Sequence, residues 1–190
     1  MAGGHTVPKT QITPNRPIYP TPAALITSVD AAGRPNIITL GEVFNISIRQ
    51  PVILGIATRK ATYSHMLISQ TREYVVNLPT RSILDQVQFC GSVSGRTIDK
   101  FERSGLTPLP ATVVRPPLIA ECPVNIECKV IGIQAIGDHD LFLGQAVAQH
   151  VDEALLDRDG RIRIDKLDGF AYVLGEFWTL GAKIEPKRAV

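Results

Sequence analysis

Apolar positions along this chain recur mostly with a period of two or in short unbroken runs, the signature of strands. Ala23 to Val29 is one such run. Asp30-Ala31-Ala32-Gly33-Arg34 follows as a turn, with Gly33 able to supply a positive φ. Asn36 to Gly41 resumes strand character, so the two runs predict a hairpin. Val52 to Ala57 is apolar on both faces and predicts a buried strand, and Glu73 to Leu78 (EYVVNL) predicts another. Tyr63 to Ile68 reads as a short helix. Ser82 to Cys90 reads as a second, with Ile83, Leu84, Val87 and Phe89 inward and Asp85, Gln86 and Gln88 toward water. Gly91 to Thr107 is loop plus short helix, and proline-rich coil runs on to Pro117. Val124 to Val130 alternates cleanly, with Asn125, Glu127 and Lys129 on the polar side. This predicts a half-buried antiparallel strand, with Asp138 to Val151 as its partner. Ala171 to Leu174 and Phe177 to Leu180 close the pattern. Strands dominate and βαβ alternation is absent. The expected fold is therefore mainly β, an antiparallel β-barrel with α insertions rather than a doubly wound sheet.

The amino terminus stands apart. Residues 1–22 hold five prolines and few apolar side chains, which predicts an extended arm ahead of a single domain over 23–190. The length of 190 residues and the 44% hydrophobic content suit one sizeable core. The net charge of +2, with no lysine or arginine run, argues against nucleic acid as a partner. No apolar run approaches a membrane span, and the terminus MAGGHTVPKTQ lacks the apolar segment of a signal peptide. Three cysteines (Cys90, Cys122, Cys128) without a CxxC pair predict free core thiols rather than disulfides or a zinc site. A cytoplasmic protein is expected. Neither GxGxxG nor GxxxxGK[ST] occurs, which removes the commonest nucleotide-binding motifs.

Pro51 to Ser69 carries the most suggestive chemistry. A buried strand runs into the basic, hydroxyl-rich turn Thr58-Arg59-Lys60-Ala61-Thr62 and then into a helix start. Free N–H groups and the positive end of the helix dipole favour an anion there, although a hydroxyl before a helix also serves as a plain N-cap. Gly91-Ser92-Val93-Ser94-Gly95 resembles a hydrolase elbow but places Val93 where the nucleophile belongs. His139, in Gly137-Asp138-His139-Asp140, stands at a strand mouth, either as a ligand-bonding histidine and proton relay or as a plain turn residue; no second histidine at ligand spacing supports a metal. Asp157-Arg158-Asp159-Gly160 reads as a turn rather than a calcium loop. Cys90 reads as a buried structural cysteine. Lys100 reads as a surface lysine, with an anion-binding role as the alternative.

Assembled in order, these residues resemble a flavoredoxin-type member of the flavin reductase-like, FMN-binding split-barrel family. The resemblance runs from about Pro20 to Leu180. It rests on Gly33-Arg34-Pro35-Asn36, Asn45-Ile46-Ser47 with Pro51, Tyr63-Ser64-His65 with Leu67-Ile68, and Glu73 to Pro79. Further blocks are Cys90 to Arg96 with Asp99-Lys100-Phe101, Gly105 to Pro108, Ala120 to Pro123, Glu127-Cys128, Gly137 to Phe142, and Leu180-Gly181. It implies a split β-barrel homodimer with one FMN per subunit near the dimer interface. It also implies redox chemistry with NADH, NADPH or a protein electron donor, and a small-molecule or protein acceptor. Carried over by position, Arg59, Thr62, Tyr63 and Ser64 would hold the FMN phosphate. Thr39, Leu40, Asn45 and Ser47 would line the isoalloxazine and ribityl chain, and Lys100 and His139 would approach the flavin from later loops. Two departures stand out. Where relatives often carry an aromatic able to cover the ring, this chain reads Gly41-Glu42-Val43-Phe44; and Lys60-Ala61 replace a proline and a small polar residue. Two alternatives accompany the oxidoreductase reading: an electron carrier without its own NAD(P)H activity, and a non-flavin binding module on the same barrel.

Overall fold

The computed structural model describes residues 7–15 and 17–184. The start of the expected arm and the last six residues of the expected domain lie outside that range. In chain order the strands are β1 (Thr21–Pro22), β2 (Ala24–Val29), β3 (Pro35–Leu40), β4 (Val43–Ser47) and β5 (Ile53–Arg59). Helix α1 (Tyr63–Thr71), β6 (Glu73–Leu78), α2 (Leu84–Ser92), α3 (Lys100–Ser104), β7 (Pro108–Leu109) and β8 (Leu118–Ile119) follow. The long hairpin β9 (Val124–Ile136) and β10 (His139–Val151), then β11 (Phe170–Val173) and β12 (Glu176–Thr179), complete the chain. Seven strands form one antiparallel sheet in the order β3-β2-β6-β9-β10-β5-β4. Its two edges, β3 and β4, are consecutive in sequence and separated only by Gly41 and Glu42. The sheet must therefore curl until its edges nearly meet, which makes a barrel with an open seam.

Burial follows from that curl. Ala24 and Ile26 of β2 point into the barrel with Leu54, Ile56, Val76, Cys128 and Phe142, and Ile68 of α1 joins them. Ala23 and Leu25 point outward into a second core built with Ile37 and the residues Val87 and Cys90 of α2, Phe101 of α3 and Phe170 of β11. A strand buried on both faces reads as an unbroken apolar run, and every residue of β2 is buried. Asn77 ties the polar groups of three segments together in these cores. Asn77 donates to Leu25 O (3.0 Å) and accepts from Ile119 N (3.1 Å) and from Asn125 Nδ2 (2.8 Å). Glu127, on the polar face of β9, is fully buried. Burial alone would push its pKa up. The N–H and hydroxyl of Thr112, the His150 ring and the N–H groups of Val113 and Val114 outweigh it and hold the carboxyl at about 2. That carboxylate fastens the proline-rich coil to the sheet.

Most expected elements are present, and the differences have physical causes. β10 falls within its predicted bounds, whereas β9 runs well past Val130, because it pairs with β10 as far as His139↔Ile136 while exposing Ile131 and Ile136. α1 continues past Ile68 and stops at Arg72, whose φ of 60° is left-handed. α2 starts at Leu84, after a single 3₁₀ turn over Arg81–Ile83. The pattern does not predict β4, an exposed edge strand with a register irregularity between Asn45 and Ser47. The arm ends in β1, which pairs with β11 (Thr21↔Tyr172), while residues 7–15 are exposed. The Gly33 turn has the expected positive φ of 84°. The Asp157 side chain caps its own turn, accepting from Asp159 N and Arg161 N.

One interior position admits nothing larger than glycine. Gly144 sits at a bulge in β10, and a Cβ there would overlap the hydroxyl and ring of the fully buried Tyr74. Gly144→Ala is expected to lose about 1–3 kcal/mol of unfolding free energy, as overpacked cores do. Adding Tyr74→Phe should recover part of the loss, as read by urea denaturation.

Candidate functional site

A cavity of about 640 Å³ opens at the barrel seam. One wall is β3 with the seam residues Gly41 and Glu42; the second is the turn from Thr58 to Ser64. The third comes from the end of α2, the loop through Gly95, and Lys100. His139 and the β11–β12 hairpin close the fourth side.

The second wall presents unpaired donors and the positive end of a helix. Thr62 is the N-cap of α1: its Oγ1 accepts from His65 N (3.2 Å), donates to Arg59 O (2.9 Å) and touches Thr58 Oγ1 (3.0 Å). The Thr62 hydroxyl is thus engaged in shaping the loop. The first-turn N–H groups of α1, at Tyr63 and Ser64, have no intrahelical acceptor and carry the positive end of the helix dipole. Ser64 is buried, and its Oγ accepts from Asn36 Nδ2 at 2.7 Å, leaving the hydroxyl proton to be donated elsewhere. Asn36 Oδ1 is buried at the cavity wall without a protein partner. Behind the loop, Asp140 takes His65 Nε2 at 2.8 Å and Lys60 Nζ at 3.3 Å. The His65 bond and then the lysine hold its carboxyl below the usual range against a desolvation penalty.

The opposite wall holds Lys100, which the sequence reading places on the surface. It is only 4% exposed and lines the cavity. It is drawn inward because its ammonium donates to Cys90 O (2.7 Å), one of the unpaired carbonyls in the last turn of α2. Burial pushes its pKa down to about 8. Cys90 itself is buried, and its thiol is pushed up to about 11, so it is inert as expected, as are Cys122 and Cys128. Thr39 donates to Val87 O at 2.6 Å, tying β3 to α2.

Of the residues carried over by resemblance, the structure gathers Thr39, Leu40, Arg59, Thr62, Tyr63, Ser64, Lys100 and His139 around this cavity. His139 stands opposite Arg59 in the β10–β5 register, with Nδ1 2.8 Å from Asp138 Oδ1. Asn45 and Ser47 are not brought to it. They lie farther along edge strand β4, past the seam, where Asn45 is exposed and Ser47 Oγ bonds to Arg49 O (3.0 Å). Phe44 does not cover the cavity either, since its ring lies over Gly55, where a Cβ would come within 2.6 Å of it. Glu42 does line the wall. The aromatic surface comes instead from Tyr172 and Phe177, cross-strand partners whose rings meet edge-to-face at 5.6 Å. Alternation within FAYV and EFWT puts those two on one face, and that signal was available in the sequence.

A model of the flavin reductase-like domain matches residues 16–164. The chain belongs to the flavin reductase-like family. A protein of Archaeoglobus fulgidus is 35% identical over 144 residues, covering 76% of this chain and 78% of its own. The NADH:riboflavin 5′-phosphate oxidoreductase of Streptomyces pristinaespiralis is 27% identical, covering 67% and 69%. Among solved structures, the flavoredoxin of Desulfovibrio vulgaris (Miyazaki F) superposes with a TM-score of 0.86 at 30% identity, covering 95% of this chain and 98% of the other. The expected split barrel is thus the fold of a flavoprotein family with oxidoreductase members.

Lys100 gives this site a signature in stability. Its folded pKa of about 8 lies below the ordinary 10.5, so between those values the unfolded chain binds more protons. Stability should rise as pH climbs from about 8 to 10.5, by at most roughly 3 kcal/mol. In Lys100→Met this rise should vanish, as measured by denaturant unfolding across that range.

Proposed function

We propose that this chain binds FMN in the seam cavity and acts as a flavin-dependent oxidoreductase, taking electrons from NADH or NADPH and passing them to a small-molecule or protein acceptor. The observation that carries the reading is the pairing, in one cavity, of an anion cradle at the α1 start with an aromatic and cationic surface at Tyr172, Phe177 and Lys100. The donor set fits a phosphorylated, ring-bearing ligand. Free N–H groups, the Ser64 hydroxyl and Arg59 suit a phosphate, and the unpartnered Asn36 Oδ1 suits a hydroxyl donor. The names of the Streptomyces oxidoreductase and the Desulfovibrio flavoredoxin support a flavin in that role.

Bound FMN would supply the hydride and electron chemistry. The chain's own part is to bind and to set charge. Arg59, Tyr63 and Ser64 would hold the phosphate, with Thr62 fixing the loop that presents them. Lys100, charged at neutral pH, would favour negative charge in its neighbourhood, whereas Glu42 would oppose it. His139, bonded through Nδ1 to Asp138, leaves Nε2 to hold or move a proton. The similarity to a flavoredoxin favours a second reading, an electron carrier that holds FMN without turning over nicotinamide.

A second copy of the chain is the expected partner. Phe44, Ile46 and Ile48 are exposed on or just beyond β4, the kind of apolar edge that association covers. A cytoplasmic setting suits three unpaired thiols. Among the described residues no helix is long and apolar enough to cross a membrane.

The purified protein should be yellow, or turn yellow with added FMN, and should oxidise NADH or NADPH. Bound flavin with negligible turnover would select the carrier, and no flavin binding would leave only a non-flavin module. Sedimentation should give a dimer, which Ile46→Lys should weaken.

A further inference from the structure

The cations that line the cavity, Arg59 and Lys100, and those on neighbouring positions differ in how they are occupied. A flavin's terminal phosphate carries close to two negative charges at neutral pH. In the cradle assigned by resemblance, Arg59 is the one full positive charge. Lys60 is engaged 3.3 Å from Asp140 Oδ1. Arg34 is held by Asp30 through Nε at 2.7 Å. Lys100 sits at the other wall, bonded to Cys90 O.

Arg96 is different. Its guanidinium lies 5.3 Å from the centre of the Tyr63 ring, at the first residue of α1. No carboxylate is paired with it among the described residues, and only its backbone N–H is bonded, to Ser94 Oγ. The backbone delivers it there. Gly95 packs so closely on β3 and Tyr63 that a Cβ would overlap Asn36 Oδ1 and come within 3.2 Å of Tyr63 Cδ1. Asn36 is 3% exposed, bonded to Ser64 on one side and unpartnered at Oδ1. Three segments distant in sequence thus converge on the α1 start, and the third ends in an uncommitted guanidinium.

We propose that Arg96 is the second cation of the phosphate subsite and the residue that makes the site select phosphorylated flavin over riboflavin. The inference rests on the flavin reading above. It adds a specificity-determining residue next to Gly95 of the third wall, outside the Arg59–Ser64 loop. The stack on Tyr63 keeps the guanidinium at the subsite, so less side-chain freedom is lost when the anion binds. A planar fork suits phosphate better than an ammonium does.

The test is equilibrium titration of flavin-free full chain with FMN and with riboflavin, followed by flavin fluorescence. Wild type should bind FMN more tightly. Arg96→Ala should weaken FMN by about 10- to 100-fold and leave riboflavin within about twofold. Arg96→Lys should recover only part of the loss. Added salt should shrink the FMN advantage in wild type more than in Arg96→Ala. An FMN-to-riboflavin ratio unchanged in Arg96→Ala but lowered in Arg59→Ala would overturn the proposal and leave the flavin reading standing. Wild type that binds neither flavin would overturn both.

Discussion

Two residues, Gly41 and Glu42, are all that separate the two edge strands of a seven-stranded sheet. That constraint generates most of the molecule. A sheet whose first and last strands are neighbours in sequence cannot lie open, so its inner face becomes a closed core around Ile26, Ile56, Tyr74 and Phe142. Its outer face at β2 and β3 then needs cover, which α2, α3 and the carboxy-terminal hairpin supply. The cavity lies where these two arrangements meet, at the seam between edge strands β3 and β4. Glu42 O still accepts from Ala57 N at 2.9 Å, so the gap is defined rather than frayed.

The site's polarity follows from how its walls are joined. Side-chain hydrogen bonds tie β3 to the walls on either side, Asn36 to Ser64 and Thr39 to Val87 O, and Lys100 to Cys90 O braces the third wall itself. These bonds consume some of the groups that would otherwise face a ligand. What remains at the cavity is the helix start, one serine proton, one amide oxygen and the Arg59 guanidinium. All three thiols are held protonated by burial, so none is available as a thiolate nucleophile.

Much of this was legible in the sequence where local pattern and tertiary role coincide. Glu73–Leu78 is a strand as its composition demands, and Thr58 to Ser64 forms the strand–turn–helix junction that its residue types suggest. Legibility failed where partners distant in sequence decide. Nothing local announces that Lys100 turns inward, because the carbonyl that draws it in belongs to Cys90 in another helix. β4 has no signature in the pattern, because an exposed edge strand lacks the half-buried alternation of other strands. The family resemblance implies Asn45 and Ser47 as residues lining the flavin, and in this chain they lie on β4, outside the seam cavity. The aromatic that relatives often carry after β3 is absent from Gly41-Glu42-Val43, and the aromatic side chains that line the cavity, Tyr172 and Phe177, come from the far end of the chain.

The β11–β12 hairpin is a partition with two unlike faces. Phe177 looks into the seam cavity, and the next residue, Trp178, lines a separate shallow groove with Tyr19 and Leu180. Trp178 is the single tryptophan in the chain. The protein therefore carries one native optical probe, one residue along the strand from the cavity wall. Its emission arises from a single environment and registers movement of that partition without any label.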